Sequence, residues 1–345
     1  MASVYRTTRD AGGAQPGSAP CNRPCGPLGF GAAALTTRGP ALAPTPPPSL
    51  PVQSQPLAQQ PIALTCDDAP AIASRGPVRF DPQHMDDVRE VLTAAGVTNC
   101  VAFVIGHSAR GEEKRLERWL RAGFELGNHA DDHMHASNVT ARDFLASAER
   151  CGQMLASITG QTATRWFRFP YLDRGVDRTH RSEIQRGILE LGYRIAPASV
   201  DFYDYAYEEP FVGAGNDGLA AKIAARYRHV AHSSVVRRAA QVRARMGRQV
   251  PLVSFFHFGP ISSRFIGDIV RALTASGVQW CPLARALDDP YYRNYLDDTA
   301  RNGLVTEQAH ELGIGTRLLR RLAREADRCG FASSRQLGPR WPHVT

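Results

Sequence analysis

The sequence predicts a parallel α/β fold, and a barrel in preference to a doubly wound sheet. Three observations carry this expectation. From residue 61, short apolar runs alternate with amphipathic helical stretches, giving roughly seven βα units in about 230 residues. The apolar runs are nearly free of charge, as strands covered on both faces are. Asp67, His129, Arg168, Asp201 and His257 all fall at or just past the C-terminal ends of those runs. A barrel gathers such positions on one face, whereas a doubly wound sheet gathers them around a single switch point.

Residues 1–60 hold 11 of the 24 prolines, including Pro46 to Pro48, and keep no hydrophobic period, so they predict a disordered leader. Strands are expected at 62–66, 101–105, 166–169, 194–200 and 252–258, with a shorter run near 124–128. Helices are expected at 84–95, 112–122, 140–158, 179–191, 217–246 and 263–276. Thr140 is placed as an N-cap with Asp143 in the first turn, and Gly160 and Gly192 read as helix stops. One catalytic domain over 61–290 is expected, followed by a basic helical extension over 291–345. Within that extension, Gln308 to Leu319 resembles the acyl-CoA pyrophosphate loop of GNAT acetyltransferases. Only about 40 residues surround it, too few for that fold, so an amphipathic helix is expected instead.

The formal net charge is +8, but the tails 1–60 and 301–345 carry +7 of it. The remainder is near neutral, so no nucleic-acid partner is expected. The seven cysteines are odd in number and scattered, without a C-x-x-C pair, which excludes a disulfide framework and a structural zinc knuckle. No apolar segment is long enough to span a bilayer. Leu28 to Leu35 is short, rich in Gly and Ala and far from a basic start, so it does not read as a signal peptide. A cytoplasmic protein is expected, or an exported one if the start is misassigned.

Chemistry concentrates in five segments. Asp67 and Asp68 end the apolar run Ile62 to Cys66, where two adjacent carboxylates need a cation to pair them. His129 and His133 lie four residues apart after Asn128. A carboxylate with two imidazoles is a common ligand set for a hydrolytic Zn²⁺ with an open position, which leaves one Asp free to act as a base. Arg168, in Arg168-Phe169-Pro170-Tyr171, can pair with one Asp and hold it ionised. Asp201 to Tyr205 forms the fourth segment. His257 ends the fifth, Ser254 to Gly259, and gains basicity if a carboxylate pairs it.

In this order the five segments resemble the polysaccharide deacetylases, the NodB-homology or carbohydrate esterase family 4 enzymes, over roughly residues 61–290. The family's T-F-D-D is similar to Thr65-Cys66-Asp67-Asp68, with Cys in the aromatic position. Its H-x-x-x-H is similar to His129 through His133, and its R-x-P-Y to Arg168 through Tyr171. Its D-x-x-D-W is similar to Asp201 through Tyr205, with Tyr replacing Trp, and its last apolar strand ends as Val253 to His257 does.

The resemblance implies a distorted (β/α)7 TIM-like barrel. It implies one divalent metal, Zn first and Co, Ni or Mn next, held by Asp68, His129 and His133. Asp67 is then the general base, Arg168 orients it, and His257 protonates the leaving amine with Asp204 as its partner. The Tyr171 backbone N–H helps stabilise the oxyanion. Phe255, Phe256 and Tyr205 wall the acyl pocket, so Tyr205 is expected to alter acyl or sugar preference. Cys66 is expected to change volume near the base, and Asp131 and Asp132 to suit a polar or cationic substrate. The implied activity is N-deacetylation of a glycan. A small-molecule amidohydrolase on the same scaffold and a catalytically silent carbohydrate-binding homologue are the alternatives. Retention of Asp67, Arg168 and His257 weighs against the silent one, because binding alone needs neither base nor acid.

Overall fold

The structure is a computed structural model and describes residues 57–73, 77–160 and 165–293. The expected leader up to residue 56 lies outside the described residues, as does the C-terminal extension from residue 294 with its Gln308–Leu319 segment.

A parallel sheet forms the centre. Its strands are β1 (Gln60–Ala69), β2 (Cys100–Val104), β3 (Glu125–Asn128), β4 (Trp166–Phe167), β5 (Arg194–Ile195), β6 (Val200–Asp201), β7 (Leu252–His257) and β8 (Val278–Trp280). The order is β5-β4-β3-β2-β1-β7-β6, with β8 pairing the start of β1. The long helices are α1 (Gln83–Ala94), α2 (Glu113–Arg121), α3 (Ala141–Thr159), α4 (Arg178–Glu190), α5 (Asp217–Met246) and α6 (Pro260–Ala275).

The expected strand 194–200 is two strands on opposite edges of the sheet. Ala196 N–H donates to the Phe167 carbonyl (2.8 Å) on one edge, and Ser199 N–H donates to the Val253 carbonyl (2.8 Å) on the other. So short a segment reaches at most roughly 18 Å. Seven strands laid flat put their outer members about 29 Å apart. The sheet therefore curls until its edges are within reach of one short segment. That is the barrel, closed by chain rather than by a strand ladder.

Alternation along β1 divides its side chains between two faces. Ile62, Leu64 and Cys66 pack in one cluster with Val88 and Leu92 of α1 and Ile266, Ile269 and Val270 of α6. Each such buried aliphatic chain contributes about 1.5–3 kcal/mol. Ala63 turns the other way and packs with Val101, Phe103 and Val253. Thr65 and Asp67 share that second face, where both meet Arg168. Cys66 consequently lies in the layer under the helices, beside Leu64 and Phe256, and not against the base. The expectation that it changes volume at the base is corrected by this two-residue period.

Helix starts follow local chemistry. Thr140 Oγ1 accepts from the Asp143 N–H (3.1 Å) at the head of α3, which satisfies one of the donors a helix start leaves free. Gly160 and Gly192 both take positive φ (65° and 86°) just past their helices. Replacing Thr140→Ala is expected to lower unfolding free energy by about 1 kcal/mol in chemical denaturation, the usual worth of such a cap.

Candidate active site and metal centre

The ends of the parallel strands bring the five segments together. Asp67 and His257 are register partners on β1 and β7. Asn128, the last residue of β3, pairs with Phe167 of β4, so His129 and Arg168 emerge side by side.

Arg168 is fully buried. Its Nη1 donates to Asp67 Oδ1 (2.7 Å) and to the Thr65 hydroxyl (2.6 Å), and its Nε donates to the Ala196 carbonyl (3.0 Å). The guanidinium carbon lies 4.2 Å from the Phe103 ring centre. Charge-assisted bonds of this kind are strong in so dry a setting. The backbone carbonyl of Arg168 bonds elsewhere, accepting from Nδ1 of His129 (2.8 Å). A carbonyl only accepts, so Nδ1 carries the proton and Nε2 presents its lone pair.

That lone pair faces Asp68. Asp68 Oδ1 lies 3.4 Å from His129 Nε2 and 2.8 Å from His133 Nε2, is buried, and makes no well-aligned hydrogen bond. One ligand atom from each of the three residues lies within 4.8 Å of the others. Burial alone raises the Asp68 carboxyl, but the His133 and His129 imidazoles outweigh it and hold it well below the usual carboxylate range. Burial lowers His133, which favours its neutral, ligating form. A converging carboxylate and two imidazoles, with an orphaned oxygen among them, fit a divalent cation.

The backbone is bent to make this possible. Asp68, Ala130, His133, Tyr171, Leu172 and Tyr203 all have positive φ, between 50° and 62°. Each departs from the preferred regions for a residue with a Cβ, at about 1–3 kcal/mol, and such residues cluster at functional sites.

Across the site, His257 Nδ1 lies 3.2 Å from both oxygens of the fully buried Asp204. Asp204 Oδ2 also accepts from the His257 N–H (2.8 Å) and the Ser262 hydroxyl (3.0 Å). Burial works against charge on His257, but the Asp204 carboxylate overrides it and pushes the imidazole up to about 10. Tyr205 stands edge-on to His257 at 5.7 Å between ring centres and is 45% exposed. Its hydroxyl donates to Asp201 (3.0 Å), whose carboxyl is pushed up to about 7 by burial and by Asp204.

Tyr171 lies against His133 (4.5 Å) and stacks on His135 (3.7 Å, 9°), so the second and third segments are joined through rings.

Two further expectations change. Asp131 is bound by Arg110 Nη2 (2.7 Å) and approached by Arg150 Nε (3.4 Å), and Asp132 is bound by Arg150 Nη2 (2.6 Å). Both carboxylates are thus neutralised by arginines and hold the loop; neither is a free acidic surface for a cationic substrate. Of the two expected pocket phenylalanines, Phe255 stands edge-on to His257 at 5.5 Å, while Phe256 is buried in the layer with Cys66. The arginine partners lie about 20 residues away on either side, with no spacing signal to reveal them. Alternation along β7 is enough to separate Phe255 from Phe256.

The His257–Asp204 pair makes stability pH-dependent. The folded value near 10 lies above the ordinary 6.5, so the contribution is complete below about 6.5 and lost as pH rises through about 10. Denaturation of chelator-treated protein across that window is expected to show declining stability, and a shallower decline in His257→Gln. An unchanged slope in the variant contradicts the pairing.

Residues 54–195 match the family model described as polysaccharide deacetylase. The chain is also similar to several solved structures. A family 4 carbohydrate esterase pseudoenzyme from Bacillus anthracis is 16% identical with a TM-score of 0.48, covering 67% of this chain and 66% of that one. The peptidoglycan deacetylase PdaC from Bacillus subtilis is 19% identical with a TM-score of 0.47, covering 74% and 96%. A family 4 carbohydrate esterase from Streptomyces lividans, in complex with acetate, is 18% identical with a TM-score of 0.44, covering 64% and 91%. The matched segment 54–195 holds Asp67, Asp68, His129, His133 and Arg168 and is similar to the polysaccharide deacetylase family.

Proposed function

We propose that this protein is a metal-dependent deacetylase that hydrolyses the acetamide of an N-acetylated glycan. One observation carries the proposal: Asp67, held by Arg168, and His257, held by Asp204, stand in register on neighbouring strands beside the Asp68–His129–His133 cluster. A silent binding protein has no use for a paired base and acid across a ligand cluster.

Asp68, His129 and His133 are assigned as the ligands of one divalent ion, Zn²⁺ first. Such an ion supplies Lewis acidity, lowering the pKa of water from about 15.7 towards 7 and polarising a carbonyl. Arg168 occupies Asp67 Oδ1 and leaves Oδ2 to take the proton of the attacking water. Water oxygen bonds to the acetamide carbon, and the negative charge that grows on the carbonyl oxygen is met by the Tyr171 backbone N–H. His257, kept protonated by Asp204, gives its proton to the nitrogen as the C–N bond breaks. Acetate and a free amine are the products. Phe255 and Tyr205 flank the acid and line the place of the acyl methyl. The lone Tyr hydroxyl, tied to Asp201, makes that wall more polar than an indole would.

Metal analysis of purified protein combined with an acetate-release screen tests the proposal. The expected result is one divalent ion per chain and acetate from N-acetylated chito-oligosaccharides. Release only from small N-acyl compounds reassigns the substrate; metal without any release sinks the deacetylase. Asp67→Asn is expected to keep the metal and lower kcat by about 10² to 10⁴, the usual worth of a general base. Loss of metal in that variant means the two aspartates have exchanged roles.

A further inference from the structure

Beyond the five segments, one buried carboxylate has no part in the proposed chemistry. Glu208 is 3% exposed and lies one helical turn past Asp204, in the short helix Glu208–Val212. Its Oε2 accepts from the Ile261 N–H (2.9 Å) in the first turn of α6, the helix whose Ser262 hydroxyl donates to Asp204. Its Oε1 is buried without a hydrogen-bond partner. Gly259, the residue before α6, approaches so closely that a methyl there would run into Glu208 Oε1 and meet Phe80 at 3.3 Å. Asp204 and Glu208 thus clasp one helix N-terminus together, and His257 leads into it.

We propose that Glu208 is a positioning residue for the general acid: by holding the start of α6 to the Asp204 turn, it fixes the Asp204 carboxylate on His257. The inference rests on the general-acid role given to His257 above. The titratable groups facing Glu208 are Asp204 from its own turn, His257 from β7 and Tyr227 from α5. Burial, and then Asp204, push Glu208 up to about 8. A tether of this kind needs an acceptor of the right length, not a charge. Gln supplies that acceptor; Ala does not.

Acetate release from N-acetylated chito-oligosaccharides, with kcat and KM separated, is the test. Glu208→Ala is expected to lower kcat on the order of tenfold with KM within about twofold, since part of the worth of an acid is lost and none of the binding. Glu208→Gln is expected to recover most of kcat. Gly259→Ala displaces the same carboxylate and is expected to lower kcat alike, while adding little to Glu208→Ala, where the methyl finds space. Should Glu208→Ala not melt cooperatively, Gly259→Ala alone decides. Wild-type kcat in the folded variant, a loss confined to KM, or no recovery by Gln overturns the assignment. His257→Ala separates the two claims. Full turnover there defeats the general-acid role, whereas loss at His257 with wild-type kcat at Glu208 defeats the positioning role only.

Discussion

The arrangement around Asp67 and His129 at the strand ends depends on one buried cation, Arg168. Its guanidinium joins Asp67 and Thr65 of β1 to the Ala196 carbonyl beyond β5, and stacks near Phe103 of β2. Its own carbonyl sets the proton of His129. A fully desolvated guanidinium is tolerable only with such a set of acceptors, because an uncompensated buried charge costs several kcal/mol. The same bonds that make Arg168 tolerable therefore position a carboxylate on one side and an imidazole lone pair on the other. The Asp67 carboxylate and the His129 imidazole thus share one structural source.

The second half of the site uses a different device. Asp204, with no solvent contact, sits at the start of α6 among the His257 N–H, the Ser262 hydroxyl and the His257 ring. Its charge, confined where water cannot screen it, raises the imidazole. Arg168 on one flank and the Asp204 carboxylate on the other thus give Asp67 and His257 partners of opposite charge. Parallel pairing of β1 with β7 then sets Asp67 and His257 opposite each other, in register. Strained residues such as Asp68 and His133 lie between, where the ligand atoms must converge.

Much of this was legible in the sequence for a physical reason. Uncharged apolar runs leave few alternatives to buried strands, so the chemistry at their ends stands out, and the helices α3, α4 and α5 fall within a residue of their expected bounds. What escaped depended on partners distant in the chain. Asp131 and Asp132 looked like a free acidic surface because nothing near them announced Arg110 and Arg150. The stretch 194–200 reads as one strand because Ile195, Ala196, Ala198 and Val200 make it mostly apolar; the chain around Pro197 instead crosses between the two edges of the curled sheet. Cys66 and Phe256 are different, since alternation alone places them on the face away from Asp67 and Phe255. Glu208 was missed although its spacing from Asp204 places both on one side of a turn.

The claim on which the rest stands is that Asp68, His129 and His133 are a metal centre. X-ray absorption of the zinc-loaded full-length protein probes it most directly, since it reads the ligands and not the activity. A shell of nitrogen and oxygen only is expected, with the outer scattering of two imidazoles, and loss of that scattering in His129→Ala/His133→Ala. Sulfur in the shell, from any of the seven cysteines, or a spectrum unchanged by the double substitution would refute the assignment.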